Sequence, residues 1–73
     1  MNLYKLRAIV DHVRRQGPLP RDQFGNVLRA DDLLVWYELD GLLSDGERFV
    51  VKQELRALAE AELFMEQLRS KAA

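Results

Sequence analysis

The chain has 73 residues, no cysteine, 48% hydrophobic residues and a formal net charge of −1. These values exclude a disulfide or thiolate-metal scaffold and a chain too polar to fold. They predict one small domain, residues 1–73, whose single core contributes about 3–5 kcal/mol. The longest apolar run, residues 33–37, is far shorter than the roughly 20 residues of a membrane span. The N-terminal sequence lacks a signal-peptide pattern. We therefore expect a cytoplasmic protein that does not enter a membrane.

Charge is distributed unevenly along the chain. Residues 1–29 hold six basic and two acidic side chains, whereas residues 30–73 hold five basic and ten acidic ones. The net charge is therefore +4 in the first part and −5 in the second. A basic part of this kind can contact nucleic acid or an acidic protein surface. The alternative is that the two parts neutralise each other within the fold.

The first predicted element is an amphipathic helix over NLYKLRAIVDHVRRQ, residues 2–16. Apolar residues recur there at spacings of three and four, which is typical of one helix face. The predicted inward stripe comprises Leu3, Leu6, Ile9, Val10 and Val13. Asn2 is the predicted N-cap. Gly17 and Pro18 end the helix, because glycine tolerates the left-handed conformation and proline cannot continue the hydrogen-bond ladder.

Residues 17–30 form a predicted connector, since two prolines and two glycines interrupt any periodic pattern. Phe24, Val27 and Leu28 are its predicted anchors in the core. Two conformations remain open for its centre: a single helical turn over residues 22–28, or a turn at Gly25 and Asn26.

The next predicted element is a short buried helix over DLLVWYELDGLL, residues 32–43, with Asp31 or Asp32 as its cap. The run does not alternate apolar and polar residues as a half-buried strand would. Its predicted inward residues are Val35, Trp36, Leu39, Leu42 and Leu43. A buried strand remains the alternative, because valine, tryptophan and tyrosine are good strand formers.

The stretch ELDGLLSDGERFVV decides the fold class. Ser44 to Glu47 matches the S-x-x-E capping box and predicts the start of a long helix. The predicted stripe of this helix comprises Val51, Leu55, Leu58, Ala61, Met65 and Leu68, widened by Val50, Ala57 and Phe64. We therefore predict a mainly α single-domain bundle of three or four helices. The alternative is an α+β fold with one β-hairpin near residues 35–51, turning at Asp45-Gly46.

The sequence offers little for catalysis or for binding a cofactor. His12 is the only histidine and falls on the predicted polar face, where no pocket would orient it as a base. Ser44 and Ser70 have no partner base. An EF-hand loop from Asp40 fails, because leucines occupy positions that need oxygen ligands. We therefore expect no enzyme activity, no cofactor and no metal site.

The composition of the second predicted helix argues against DNA binding. Three or four short helices resemble a helix-turn-helix in outline. However, residues 32–43 hold carboxylates and no lysine or arginine, so they would meet DNA phosphates with like charge. We expect that direct DNA contact is unfavourable, with the first helix as the only basic element available for it.

Protein binding is the remaining function class. Trp36 and Tyr37 are adjacent, and successive residues on a helix point about 100° apart, so one ring must be partly exposed. The predicted partner-binding residues are Arg14, Arg15, Arg21, Phe24, Arg29, Trp36 and Tyr37. The last helix carries additional apolar residues, Ala59 and Leu63, away from its main stripe. Self-association or a partner groove would cover them.

The opening MNLYKLRAIVDHVRRQ and the compact DDLLVWYELDGLL, with the length and the lack of cysteine, resemble the small transcription regulators of lytic Xanthomonas phages that bind host RNA polymerase. The resemblance extends over the whole chain and includes no diagnostic motif, so it assigns no functional residue. It implies a non-enzymatic factor that contacts the polymerase β′ and β subunits. Such a factor displaces σ, inhibits σ-dependent initiation and permits readthrough of terminators. The alternative functions are a small DNA-associated regulator, dimeric through its C-terminal helix, and an antitoxin-like or assembly protein.

Overall fold

Three α-helices build the fold of residues 1–72, which are the residues that the computed structural model describes. They are α1 (Leu3–Arg15), α2 (Ala30–Trp36) and α3 (Asp45–Ala72), and a 3-10 turn (Asp40–Leu42) precedes α3. The predicted mainly α fold class is confirmed. The alternative hairpin near residues 35–51 does not form, because Asp45 and Gly46 belong to the first turn of α3.

Helix α1 begins and ends as its sequence predicts. The Asn2 side chain accepts a hydrogen bond from the Tyr4 backbone N–H at 2.7 Å. At the other end Gly17 has a φ of 84°, and its N–H donates to the carbonyl of Arg14 at 3.2 Å. Ile9 and Val13 are buried, but Leu3 is 69% exposed. The inward stripe therefore reaches the core only after the first turn.

The connector between α1 and α2 contains a tight turn rather than a helical one. The Asp22 carboxylate accepts the backbone N–H groups of Phe24 and Asn26 at 2.9 and 3.0 Å, and Gly25 has a φ of 84°. The prediction that Phe24 anchors the connector in the core is wrong, because its ring is 79% exposed at this turn. Leu19 is the residue that enters the core, with 6% of its surface exposed.

Helix α2 begins earlier and ends earlier than its sequence suggests. Neither predicted cap is correct: Asp31 and Asp32 lie inside the first turn, and Arg29 is the N-cap residue without a side-chain hydrogen bond. At the C-terminus the Glu38 N–H donates to the Val35 carbonyl at 3.0 Å, and the Leu39 N–H donates to the Leu34 carbonyl at 2.8 Å. This is a Schellman motif, and Glu38 occupies its left-handed position with a φ of 59°.

The early end of α2 changes which apolar residues are buried. The predicted inward residues Val35, Trp36 and Leu42 are between 62% and 68% exposed. That part of the prediction is wrong because it continued a helical period past Tyr37, where the chain reverses. The residues of this segment that enter the core are Leu33, Leu34, Tyr37, Leu39 and Leu43.

The capping box at the start of α3 is confirmed. The Ser44 hydroxyl accepts the Glu47 N–H at 3.3 Å, and the Glu47 carboxylate accepts the Ser44 N–H at 3.0 Å. The same carboxylate forms an ion pair with Lys5 of α1 at 2.9 Å. These contacts join the beginning of α3 to α1.

Helix α3 forms the base on which α1 and α2 pack. Val51 and Leu55 are each 1% exposed and lie at the centre of the core. Leu58 and Ala59 are partly buried against it. After Glu62 every residue through Lys71 is exposed. The predicted stripe of α3 is therefore buried only along its first part, and Ala61, Met65 and Leu68 are exposed.

Candidate partner-binding surface

Arg14 and Arg15 lie side by side in the last turn of α1. Both side chains are exposed, and neither forms an ion pair with another of residues 1–72. Positive side chains near a helix C-terminus interact favourably with the helix dipole. The two guanidinium groups are available to a partner.

Arg21 is held by the chain itself. Its guanidinium group forms an ion pair with Glu62 at 3.0 Å and another with Glu66, and it donates to the Gly25 carbonyl at 3.0 Å. Its pKa is raised above the ordinary value, chiefly by the hydrogen bond to Glu62. Glu62 also accepts the Leu19 N–H at 2.8 Å. The structure therefore places Arg21 where it fastens the connector to α3.

Phe24 and Arg29 both belong to the connector: Phe24 lies at the Asp22 turn, and Arg29 directly precedes α2. The exposed Phe24 ring follows from the Asp22 turn, which directs the chain away from the core at that point. The Arg29 side chain is exposed and borders a depression lined by Leu33, Arg56 and Ala59. Both side chains are accessible.

Trp36 and Tyr37 differ in exposure, as expected for successive helix residues, which point about 100° apart. Trp36 is 62% exposed at the end of α2, whereas Tyr37 is 6% exposed. The Tyr37 ring meets the His12 ring edge-on, with centroids 6.4 Å apart and an angle of 77°. Burial raises the pKa of the Tyr37 hydroxyl. Tyr37 is thus a core residue, and Trp36 is the largely exposed ring of this pair.

The predicted partner-binding residues do not form one continuous patch. Arg14 borders a groove of about 410 Å³ between α1 and α3, together with Pro18 and Met65. Glu62 and Glu66, the ion-pair partners of Arg21, line the same groove. Arg14 and the two ion-pair partners of Arg21 therefore border the same groove. Arg29 and Trp36 lie at opposite ends of α2.

A second groove was missed by sequence reasoning. It has a volume of about 390 Å³ and separates α1 from the segment that follows α2. Its mostly apolar walls include Ala8, Ile9, His12, Tyr37, Leu39 and Leu42. No periodic pattern could have indicated it, because one wall depends on the chain reversal at Glu38.

Pairing between the basic and acidic parts of the sequence is partial. Lys5 pairs with Glu47, and Arg21 pairs with Glu62 and Glu66. The alternative in which the two parts neutralise each other is therefore correct for these two bases. The bases of the first part without an ion pair among residues 1–72 are Arg7, Arg14, Arg15 and Arg29.

The titratable groups outside the arginine surface make a few local contacts. The exposed His12 ring makes a 3.0 Å contact with the Gln16 amide, and its edge contacts Tyr37. Asp31 forms an ion pair with Lys52, which lowers the pKa of Asp31. Within residues 1–72, no three histidine, cysteine, aspartate or glutamate side chains converge as metal ligands would. What the surface offers chemically is charge and exposed rings for contact with another molecule.

Comparison with known proteins identifies no relative. No family model matches the chain, no curated protein matches it, and no solved structure matches it. None of the helices in the described part of the chain has the length and apolarity to cross a bilayer.

Proposed function

We propose that this chain is a non-enzymatic transcription regulator that binds bacterial RNA polymerase through the β′ and β subunits. It inhibits σ-dependent initiation by displacing σ, and it permits readthrough of terminators. It acts in the cytoplasm of the host cell, where the polymerase is. The sequence resemblance supports this proposal over the whole chain. The accessible arginines at the end of α1 support it physically.

The observation that carries the proposal is that Arg14 and Arg15 are exposed and form no ion pair with any of residues 1–72. The planar guanidinium group of arginine carries several hydrogen-bond donors. It can therefore donate two hydrogen bonds at once to a carboxylate, or bond to neighbouring carbonyl groups. Arginine and tryptophan are also frequent anchors of protein interfaces. Arg14 and Arg15 therefore provide the charged part of the contact, and the exposed rings of Phe24 and Trp36 provide apolar anchors.

The size of the chain is sufficient for this role. A stable protein interface needs roughly 800 Å² from each partner. The solvent-accessible surface of the chain is 5569 Å². A small domain can displace σ by covering a docking surface on polymerase, and this needs no catalytic residue.

The direct test is a titration of the intact chain against core polymerase. Replacing Arg14 and Arg15 together by alanine should weaken binding by about tenfold or more, because both heads leave the interface. Arg7→Ala with Lys71→Ala is the matched control, because it removes the same charge from exposed positions outside the predicted partner-binding residues. Circular dichroism should show the same helix content for both variants.

Two results would contradict the proposal or its details. Failure of the unmodified chain to bind core polymerase rejects the function. Equal weakening by both double variants shows that net charge, and not this surface, determines binding. A σ-competition assay and a terminator template test the two proposed effects on transcription separately.

The DNA-associated alternative is tested in the same titration with duplex DNA replacing polymerase. Asp31 and Asp32 lie exposed in the first turn of α2 and would repel phosphates, which leaves α1 as the basic contact. Tight, salt-dependent DNA binding without polymerase binding would favour this alternative.

A further inference from the structure

The C-terminal part of α3 extends beyond the elements that cover its first part. Phe64 is 59% exposed, Met65 49% and Leu68 45%, although all three lie on a continuous helix. Large apolar side chains exposed together on a helix indicate a surface that another molecule covers.

A second regular stripe begins beside the stripe that enters the core and continues along the C-terminal part of α3. Its positions follow spacings of three and four residues, which is the spacing of a coiled-coil seam. We name it the α3 seam, and it comprises Glu54, Ala57, Ala61, Phe64, Leu68 and Lys71. All six side chains are exposed. The seam extends over about 26 Å of helix at 1.5 Å per residue.

We propose that the α3 seam binds the α3 seam of a second copy of this chain, with the two helices antiparallel. In the two-fold symmetric register, Ala61 faces Phe64 of the second copy, and Ala57 faces Leu68 of the second copy. Each large side chain then meets a small one, so the two helices interdigitate. The same contacts occur twice, once in each direction.

Charge selects the same register independently. When Ala61 faces Phe64, Glu54 of one copy faces Lys71 of the other at each end of the seam. A parallel arrangement in register would place Glu54 against Glu54 and Lys71 against Lys71, which is repulsive. The sequence of the seam is therefore complementary to its own reverse, and this self-complementarity identifies a second copy as the occupant.

The antiparallel arrangement also covers the exposed end of each α3. In this register residues 63–71 of one copy lie along residues 54–62 of the other. Those residues belong to the part of α3 that carries α1 and α2. Each copy therefore supplies the surface that the other lacks.

The first test is sedimentation of the intact chain over a concentration series. Unmodified chain should show concentration-dependent dimerisation, and Phe64→Glu should raise the dimer dissociation constant by about tenfold or more. Phe49→Glu is the matched control, because Phe49 is 65% exposed on α3 but lies outside the seam. It should leave dimerisation unchanged. A monomer at all concentrations up to about 1 mM, or an equal effect of the two variants, would overturn the proposal.

The second test measures the register. Because the chain has no cysteine, engineered cysteines report contacts without background. A mixture of Ala57→Cys and Leu68→Cys chains should form the mixed disulfide under mild oxidation, and Ala57→Cys alone should not cross-link. Cross-linking of Ala57→Cys alone would indicate parallel helices and would reject the proposed register.

Discussion

The two parts of α3 have the same secondary structure but opposite surroundings. From Asp45 to Glu62, α1, α2 and the connector cover one face, and Val51 and Leu55 are each 1% exposed. From residue 63 to residue 71 every side chain is exposed, although Glu66 still pairs with Arg21 of the connector. The apolar α3 seam begins beside the covered face and continues through the second part. A stripe therefore predicts that a face will be covered, but it does not say by what.

The connector determines where the covered part ends. Glu62 accepts the Leu19 N–H and pairs with Arg21, and its side chain is only 21% exposed. It is the last residue of α3 that holds the connector through a mostly buried side chain. Beyond it, Glu66 pairs with Arg21 from a side chain that is 47% exposed. The boundary between the two parts is thus a charged contact and not a change in helix propensity.

The largest difference between the two parts of α3 is expected when one leucine in each part is replaced by alanine. Leu55→Ala should destabilise the fold by about 2–5 kcal/mol, because it leaves a cavity in the core. Leu68→Ala should change the stability of the monomer by no more than about 0.5 kcal/mol. Urea unfolding at low protein concentration measures both values. Equal destabilisation would mean that the C-terminal part packs against the same chain.

The boundary itself can be tested at Glu62. Glu62→Ala leaves the N–H of the buried Leu19 without its acceptor, which costs about 1–3 kcal/mol. Glu66→Ala removes only an exposed partner of Arg21 and should cost at most about 1 kcal/mol. A similar loss for both in urea unfolding would show that the ion pairs, and not the backbone hydrogen bond, hold the connector.

The beginning of α3 depends on its capping box. Ser44→Ala should destabilise the fold by about 0.5–2 kcal/mol, because the Glu47 N–H loses its acceptor. Ser70→Ala is the control, since Ser70 lies exposed in the C-terminal part. Thermal unfolding followed by circular dichroism compares them. A Ser44 variant as stable as the control would contradict a role for the cap.

The left-handed residue after α2 offers a stabilising change. Glu38→Gly should increase the unfolding free energy by up to about 1 kcal/mol, because glycine adopts a positive φ without steric cost. Gly17 already occupies the equivalent position after α1 with a φ of 84°. Gly17→Ala is the reciprocal variant and should destabilise. A lower unfolding free energy for Glu38→Gly in urea would contradict this prediction and would show that the Glu38 side chain stabilises the fold.

Acid should weaken the covered part of α3. The pKa of Glu47 is lowered, first by the Ser44 N–H and then by Lys5, and the pKa of Asp31 is lowered by Lys52. A carboxylate with a lowered folded pKa stabilises the fold above its unfolded pKa, about 3.9 to 4.3 for these residue types. This contribution disappears as the pH falls through the folded pKa. Unfolding free energy should therefore decline below about pH 4.3, and less steeply in Glu47→Gln.

Much of the fold could be predicted from local sequence signals. Asn2, Gly17 and the Ser44–Glu47 box act through hydrogen bonds to residues two to four positions away, so a sequence window contains both partners. The inward residues of α2 could not be predicted in the same way. Glu38 adopts a conformation that glycine usually occupies, and nothing in its residue type indicates a helix end.

The candidate surface was predicted by residue type but not by arrangement. Arg14 and Arg15 are exposed as expected, because the period of α1 directs them away from Val13. Arg21 instead contacts Glu62 and Glu66, more than forty positions away in the sequence. Contacts over such separations depend on how the helices pack, and composition contains no information about them.

Hydrogen exchange of the intact chain tests the division of α3 and the proposed polymerase contact together, because it measures both parts of α3 and the end of α1. At low concentration, residues 51–58 should exchange slowly and residues 63–71 rapidly. Core polymerase should slow exchange at residues 12–17, and raising the concentration of the chain alone should slow it at residues 63–71. Equal protection of the two parts of α3 in the dilute chain would contradict the division of the helix. Unchanged exchange at residues 12–17 with saturating polymerase would contradict the proposed interface.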